Sequence, residues 1–514
     1  MRFRPKLRYD TVAMIIVAMV MLGVIGLRFY YSWITGYVLP DEAYYYNTFI
    51  IAGARIGGYK EIFHAIFLLF FYNVSNLQSF FVRGILYTAT WTLGSLFVTN
   101  AILRRLRVNE KASALLLLSL PMFPIFTALS VAILGETLGL FLGLLGMYFM
   151  LRYLQSYQAR EAFVSSVCFM LAFRVREQYM LLALGNLLVL LLADKRNVKA
   201  FVAYVLPILL VTPIPVGVMP LTFAKPIYGQ IIQALGLSTA SQVNQDALLS
   251  SSITQTASLT RTDVFGSFII GLFYGYNPLF MAIAFLSLAL SIITVIKKRS
   301  QEAIFVSTNM LVAFLAFFGS LYFVISWVST VIRMSHSSLP SFFGFRYVFE
   351  RINFRYIAAG LLIFLVIASS QFPQFANAML PQTITGQSIN RLSFDYRAPY
   401  YRLYLQAMHS GRTLVIGGLE MRGIKLYMSM LPNVVLVAIP SNETGFHTLL
   451  NQSWNTIFLY DDWYTIKDPA TLFYPAYYRN TVLTASYPGY TLTLLWADEE
   501  SYAFMMMKTQ PGTT

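Results

Sequence analysis

Leu39-Pro40-Asp41-Glu42-Ala43-Tyr44-Tyr45 sets two adjacent carboxylates a short way beyond the first long apolar run, Thr11 to Leu27. Acids are scarce in this chain, with 22 Asp and Glu in 514 residues against 57% hydrophobic residues. Ionisable groups at a water-membrane boundary are costly and tend to be functional. A plainer reading has Asp41 capping the helix that Glu42-Ala43-Tyr44-Tyr45 begins. On these residues alone both readings stand.

Working outward, a mean hydropathy of +0.62 with 11% charged residues excludes an ordinary soluble domain, where charged residues run near about 25%. Charge-free runs recur at Thr11 to Leu27, Gly84 to Leu103, Ala112 to Gly135, Ala200 to Ala224, Val264 to Ile296 and Ala303 to Ile332. A spanning helix needs roughly 20 apolar residues, so several of these suffice alone. The net charge of +15 does not point to nucleic acid, because the basic residues cluster at span ends as an orientation bias places them. No small-residue cleavage site follows the first span at Gly26-Leu27-Arg28-Phe29-Tyr30, so it reads as a retained anchor. A single cysteine, Cys168, excludes an intrachain disulfide and a cysteine-based metal site.

Arg2, Arg4, Lys6 and Arg8 place the N-terminus in the cytoplasm, and alternating spans bring the later basic clusters to the same side. These are Arg104-Arg105-Leu106-Arg107, Arg152 with Arg160, Asp194-Lys195-Arg196 and Lys297-Lys298-Arg299. The outer segments are then residues 30–81, a tight turn at Gly135-Glu136, the turn Arg174 to Gln178, and the polar loop 225–263, which hangs as a lid or a mobile connection. Only Ala162 to Phe173 and Tyr179 to Ala193 are charge-free around Arg174. Spans that short thin the bilayer or open into a cavity, setting Arg174, Arg176 and Glu177 below the outer surface. The alternative is that the arginines snorkel to headgroups. Arg333, Arg346, Arg351 and Arg355 form one more inner cluster, with Tyr322 to Phe343 as a tenth span and Tyr356 to Ser370 as an eleventh.

After Phe372 the texture changes. Thr413 to Gly417, Val434 to Ile439 and Thr456 to Tyr460 are runs of strand length, and Leu419 to Met430 and Thr444 to Leu450 between them are helical. That alternation predicts a small βαβ domain with a parallel sheet, and Tyr490 to Trp496 and Tyr502 to Met507 add antiparallel edge strands. The fold class expected is a polytopic α-helical membrane protein of about 11 transmembrane helices with a C-terminal extracytoplasmic α/β domain, divided at residues 1–371 and 372–514. Asn-x-Ser/Thr triplets at Asn73, Asn442 and Asn451 all fall in the outer segments.

With these features in order the chain resembles the GT-C superfamily of membrane glycosyltransferases, which use polyprenyl-phosphate-linked sugars. Asp41-Glu42-Ala43-Tyr44-Tyr45, followed by Ala52-Gly53 and Gly57-Gly58, resembles that family's first outer loop, where an acidic dyad precedes an interfacial helix. Arg83 opening the span that ends Arg104-Arg105 resembles its second helix. Leu120-Pro121-Met122-Phe123-Pro124 with Glu136 beyond it resembles the third helix and second outer loop, and Phe173-Arg174-Val175-Arg176-Glu177 the fourth outer turn. A proline pair is missing near His64-Ala65-Ile66, and the Arg346-Tyr347 pair falls on the inner side of this topology. No Trp-Trp-Asp and no Asp-x-Asp occur, which argues against the oligosaccharyltransferase branch and its metal ion.

The resemblance implies a lipid-linked sugar as donor, with a glycan, protein or lipid as acceptor and membrane lipids as partners. Phosphate is already a good leaving group, so fixed cations suffice to stabilise its developing charge. One carboxylate deprotonates the acceptor hydroxyl. The catalytic candidates are Asp41, as that base, and Glu42, which points roughly 100° away on a helix and orients the loop or binds acceptor. Substrate-binding candidates are Arg176 and Arg174 for phosphate, Glu136 as a second site acid or a helix N-terminal carboxylate, and Arg83, which pairs with the acids or marks an interface. No metal and no cofactor are expected. His64 reads as structural, and Asp461-Asp462-Trp463-Tyr464 as a surface turn rather than a glycan site. The function expected is inverting sugar transfer at the outer face of a cell membrane. A transporter or flippase of lipid-linked sugars is the competing class, against which the lack of half-to-half symmetry speaks. A noncatalytic envelope-glycan assembly protein is the third.

Overall fold

The computed structural model describes residues 8–51, 61–74, 76–176, 178–194, 197–211, 278–298, 300–323, 335–351, 355–356, 359, 397–417, 422–462, 475–497 and 501–509. The polar loop 225–263, Glu177, Trp463-Tyr464 and all but residues 356, 359 of the eleventh span lie outside them. In chain order the helices are α1 (Tyr9–Thr35), α2 (Pro40–Tyr46), α3 (Glu61–Phe71), α4 (Leu77–Arg105), α5 (Glu110–Ser119), α6 (Pro124–Ser130), α7 (Gly135–Ser156), α8 (Ala159–Phe173), α9 (Tyr179–Ala193) and α10 (Val198–Val211). There follow α11 (Pro278–Lys298), α12 (Gln301–Phe323) and α13 (Arg346–Phe349). The C-terminal part carries α14 (Pro399–Met408), β1 (Thr413–Gly417), α15 (Arg422–Met428), β2 (Val434–Ala438), α16 (Glu443–Leu450), β3 (Thr456–Asp462), α17 (Ala476–Thr484), β4 (Ser486–Tyr487), β5 (Tyr490–Ala497) and β6 (Ser501–Lys508).

The chain divides into two compact units, one of residues 1–26, 55–67 and 85–379, the other of 27–54, 68–84 and 380–514. The first is helical. Among the described residues three helices are long and apolar enough to cross a membrane: Tyr9–Thr35, Gly135–Ser156 and Phe280–Lys298. The charge-free run Ala112 to Gly135 is not one continuous helix. Pro121 and Pro124 each lack the N–H that would continue a helix, so α5 gives way to a 3₁₀ turn at Leu120–Met122 and then to α6. The expected turn at Gly135-Glu136 falls earlier, because α7 already begins at Gly135 with Leu134 as its N-cap. Ser335–Phe345, the second half of the expected tenth span, is a 3₁₀ segment containing Pro340.

One end of this unit gathers the basic clusters. Arg104 pairs with Asp10 at 2.9 Å and Arg8 with Glu110 at 3.2 Å. Arg105 donates to Gln155 Oε1 at 2.7 Å, Arg152 meets Glu161 at 2.8 Å, and Tyr153 donates to Asp194 at 2.6 Å. Gln301 reaches Tyr157 Oη at 2.6 Å, and Arg346 donates to the Leu106 carbonyl at 2.5 Å. Arg346 therefore sits near Arg104-Arg105. Glu136, Arg174 and Arg176 lie at the opposite ends of α7, α8 and α9.

The second unit carries a six-stranded sheet in the order β2-β1-β3-β6-β5-β4. β1 pairs in parallel with β2 and β3, Thr413 standing opposite Val434 and Thr456, and β6, β5 and β4 extend the sheet antiparallel. The run Thr-Leu-Val-Ile-Gly of β1 is buried throughout, as a strand covered on both faces must be. Leu414 and Ile416 pack with Phe446 and Leu450 of α16, and Val415 packs with Leu403 of α14 and Ile424 of α15. β6 lies inside the sheet, paired with both β3 and β5, and a short hairpin adds β4 beyond β5 as the edge, one strand more than the sequence pattern showed.

Candidate active site

In the first unit, a carboxylate and a guanidinium meet inside apolar packing. Glu136 occupies the first turn of α7, where the helix dipole favours a carboxylate. Arg176 follows α8 by three residues, its N–H bonded to the Ala172 carbonyl at 2.8 Å and its own carbonyl accepting from Tyr179 N–H at 3.2 Å. Arg176 Nη2 donates to Glu136 Oε1 at 2.5 Å, with the two side chains 6% and 2% exposed. Glycines bring the two elements this close. Gly139 and Gly143 stand one turn apart on α7, and a Cβ added there would come within 2.8 and 2.5 Å of the Tyr179 ring. Arg174, the C-cap residue of α8, is half-buried.

The second unit holds the acidic dyad. α2 begins at Pro40, with Leu39 as N-cap in an extended conformation. Asp41 is thus inside the first turn and not the cap, and its side chain lies outside the described set. Glu42 supplies the capping: its Oε2 accepts from Leu39 N–H at 3.1 Å, half of a capping box. The same oxygen takes Arg28 Nη2 at 2.5 Å, with Glu42 wholly buried and Arg28 14% exposed. Arg28 had no role in the sequence reading. Its only signal was its place as a lone cation closing a long charge-free run.

Arg83 joins neither acid. Its Nη1 donates to the carbonyls of Phe70 at 2.8 Å and Tyr72 at 3.2 Å, capping the C-terminal end of α3. His64 lies half-buried on α3. Asp461 corrects the surface-turn expectation, since it is 3% exposed within β3. Burial, aided by the charge of Asp461, pushes the phenols of Tyr478 and Tyr502 well above the usual tyrosine range. Among the described residues no group of three or more His, Cys, Asp or Glu is placed to hold a metal ion.

No protein-family profile matches the chain, and no curated protein matches it in sequence. Its fold does have counterparts. The chain is similar to ArnT from Cupriavidus metallidurans bound to undecaprenyl phosphate, with a TM-score of 0.56 at 12% identity over 96% of this chain and 97% of that one. The oligosaccharyltransferase of Archaeoglobus fulgidus is also similar. Its apo form gives a TM-score of 0.49 at 11% identity, covering 99% of this chain and 75% of that one. Its complex with Zn and sulfate gives 0.48 at 12%, covering 96% and 72%. The likeness to ArnT shows the fold of this chain, with apolar helices and a C-terminal sheet.

Proposed function

We propose that this chain is an inverting glycosyltransferase that moves a sugar from a polyprenyl-phosphate donor to an acceptor hydroxyl at the outer face of a cell membrane. A fold hosts many functions, so the proposal rests on the site. The observation that carries it is the buried Glu136–Arg176 pair at the ends of α7 and α8 remote from the basic clusters. Burying an ion pair seldom adds stability over apolar packing, and charge held among apolar helices marks function by default.

In this reading Asp41 takes the proton of the acceptor hydroxyl. The acceptor oxygen attacks the anomeric carbon from the face opposite the phosphate, the carbon-oxygen bond to phosphate breaks, and polyprenyl phosphate leaves with the electron pair. Direct attack inverts the anomeric centre. Arg174 and Arg176 hold the phosphate, with Glu136 fixing the plane of the Arg176 guanidinium. Glu42 orients the dyad helix through Arg28. The step needs no metal and no cofactor, because the leaving group requires only fixed positive charge. ArnT was solved with undecaprenyl phosphate, which supports a donor of that lipid class. About 11 spans, a cytoplasmic N-terminus and an extracytoplasmic C-terminal domain (372–514) belong to the same proposal.

The test is incubation of the purified protein with radiolabelled polyprenyl-phosphate sugars and a membrane extract as acceptor source. Release of free polyprenyl phosphate with label moved to acceptor is expected. Binding or translocation of the donor without consumption would assign the chain to transport instead.

A further inference from the structure

The four residues Gly36–Leu39 join α1 to the dyad helix, and their backbone is held by side chains from the far end of the sequence. Tyr427 Oη, on α15, donates to the Gly36 carbonyl at 2.6 Å in a buried setting. Tyr400 Oη, on α14, accepts from Val38 N–H at 2.9 Å and donates to the Val38 carbonyl at 3.2 Å. Ala398 N–H donates to the Thr35 carbonyl at 2.8 Å. Gly36 has φ +69°, and a Cβ there would run into the Tyr401 ring. The four rings Tyr400, Tyr401, Tyr404 and Tyr427 pack on one another, with Tyr427 wholly buried and its centroid 5.2–5.8 Å from the other three.

We infer that Tyr400 and Tyr427 are positioning residues for the dyad helix, their phenol hydroxyls setting the path of Gly36–Val38 and with it the direction in which Asp41 is presented. The inference rests on the reading of Asp41 as the base. α2 has seven residues and runs on into a π-helical turn at Asn47–Ile51, a length too short to hold a helix by itself, so its direction depends on what fastens it, at its start above all. Among the described residues two fastenings act at that start, while Tyr46 Oη donates to the Val74 carbonyl at the other end. Glu42 ties Leu39 to Arg28, and the tyrosines tie Gly36 and Val38 to α14 and α15. The ring cluster alone does not explain the second. Packed phenylalanines would fill the same space, whereas Tyr400 matches both the donor and the acceptor of one residue, as a neighbouring strand does. The C-terminal helices thereby act on the dyad without contacting substrate.

The experiment uses the full-length protein in lipid nanodiscs, in a Cys168→Ala background with a spin label on Tyr44→Cys, a position 38% exposed on α2. Tyr400→Phe, Tyr427→Phe and their double variant remove only the hydroxyls. Tyr404→Phe, which stacks in the same cluster, is the control. Label mobility should rise in each single variant, most in the double and not in the control. Unlabelled variants should bind undecaprenyl phosphate as the parent does and keep its KM for the donor, while kcat falls about tenfold to a hundredfold, the scale of a reacting group displaced by about 1 Å. Unchanged label mobility in both single variants overturns the inference, and so does raised mobility with parental kcat. A parent that transfers no sugar overturns the enzymatic reading instead, and label mobility alone then decides whether the tyrosines fasten the helix.

Discussion

Arg176 and Glu136 pair in a nearly fully buried setting, so removing either alone takes a charge partner from the other. Arg176→Ala should therefore cost about 3–5 kcal/mol of stability, together with weakened donor binding. Arg176→Lys should restore only part of either, lacking the planar fork. The double replacement Arg176→Met with Glu136→Leu separates structure from chemistry. Apolar packing should return the melting temperature to the parental range, while undecaprenyl-phosphate binding stays lost. Parental binding in the double variant would leave the pair with no part in donor recognition. The dyad divides in a similar way. Asp41→Asn should leave folding intact and reduce turnover about 10²–10⁴-fold, the usual worth of a general base. Glu42→Gln should lower the melting temperature as well, because Glu42 serves both Arg28 and the Leu39 N–H. Sugar transfer and thermal melts on both variants check this, and near-normal turnover of Asp41→Asn would remove the base from Asp41. Glu136 was legible in the sequence as an isolated charge in apolar surroundings, and Arg176 as part of the charged turn Arg174 to Glu177 between two short apolar runs. Their pairing across 40 residues was not, since it depends on how α7 and Tyr179 pack.

At the scale of elements, local pattern decided what could be read. β1, β2 and β3 were legible because five-residue apolar runs between helical segments leave a parallel sheet little alternative. Their helices α15 and α16 followed from the same alternation. β4 was not legible, since two residues carry no period, and α14 was hidden in a tyrosine-rich stretch whose apolar face only the sheet reveals. The break at Pro121 and Pro124 was present in the sequence, but absence of charge outweighed it in the reading of a single span. Chemistry in the sheet domain yields a pH prediction. Tyr427, Tyr478 and Tyr502 are buried, and that burial holds their phenols well above the ordinary value. Below about pH 10 they are neutral folded or unfolded, and their contribution to stability is complete. Above it the unfolded chain gives up these protons and the folded one keeps them, so stability falls as pH climbs from there toward the folded values. Tyrosinate absorbance from these residues should then rise only together with loss of far-ultraviolet circular dichroism. Ionisation ahead of unfolding would show that water reaches them.

For the molecule as a whole, Asp10, Arg104, Arg152, Asp194 and Arg346 gather at one end of the helical unit. Which end faces the cytoplasm is a matter for labelling. Cysteines placed at Phe3 and at the exposed Ser441, in a Cys168→Ala background, should react with an impermeant reagent in intact cells only at Ser441. Labelling at Phe3 alone would put the sheet domain inside and withdraw the outer active site. Val38 and Tyr400 are separated by 362 positions, and that interval is also a time. At about 5–20 residues per second a ribosome needs roughly 20–70 s to cover it. The segment leading into the dyad therefore emerges long before the groups that fasten it exist. Each newly made chain carries an unfinished dyad loop until Tyr400 and Tyr427 have been made, and a chain broken off ahead of Pro399 keeps it unfinished for good.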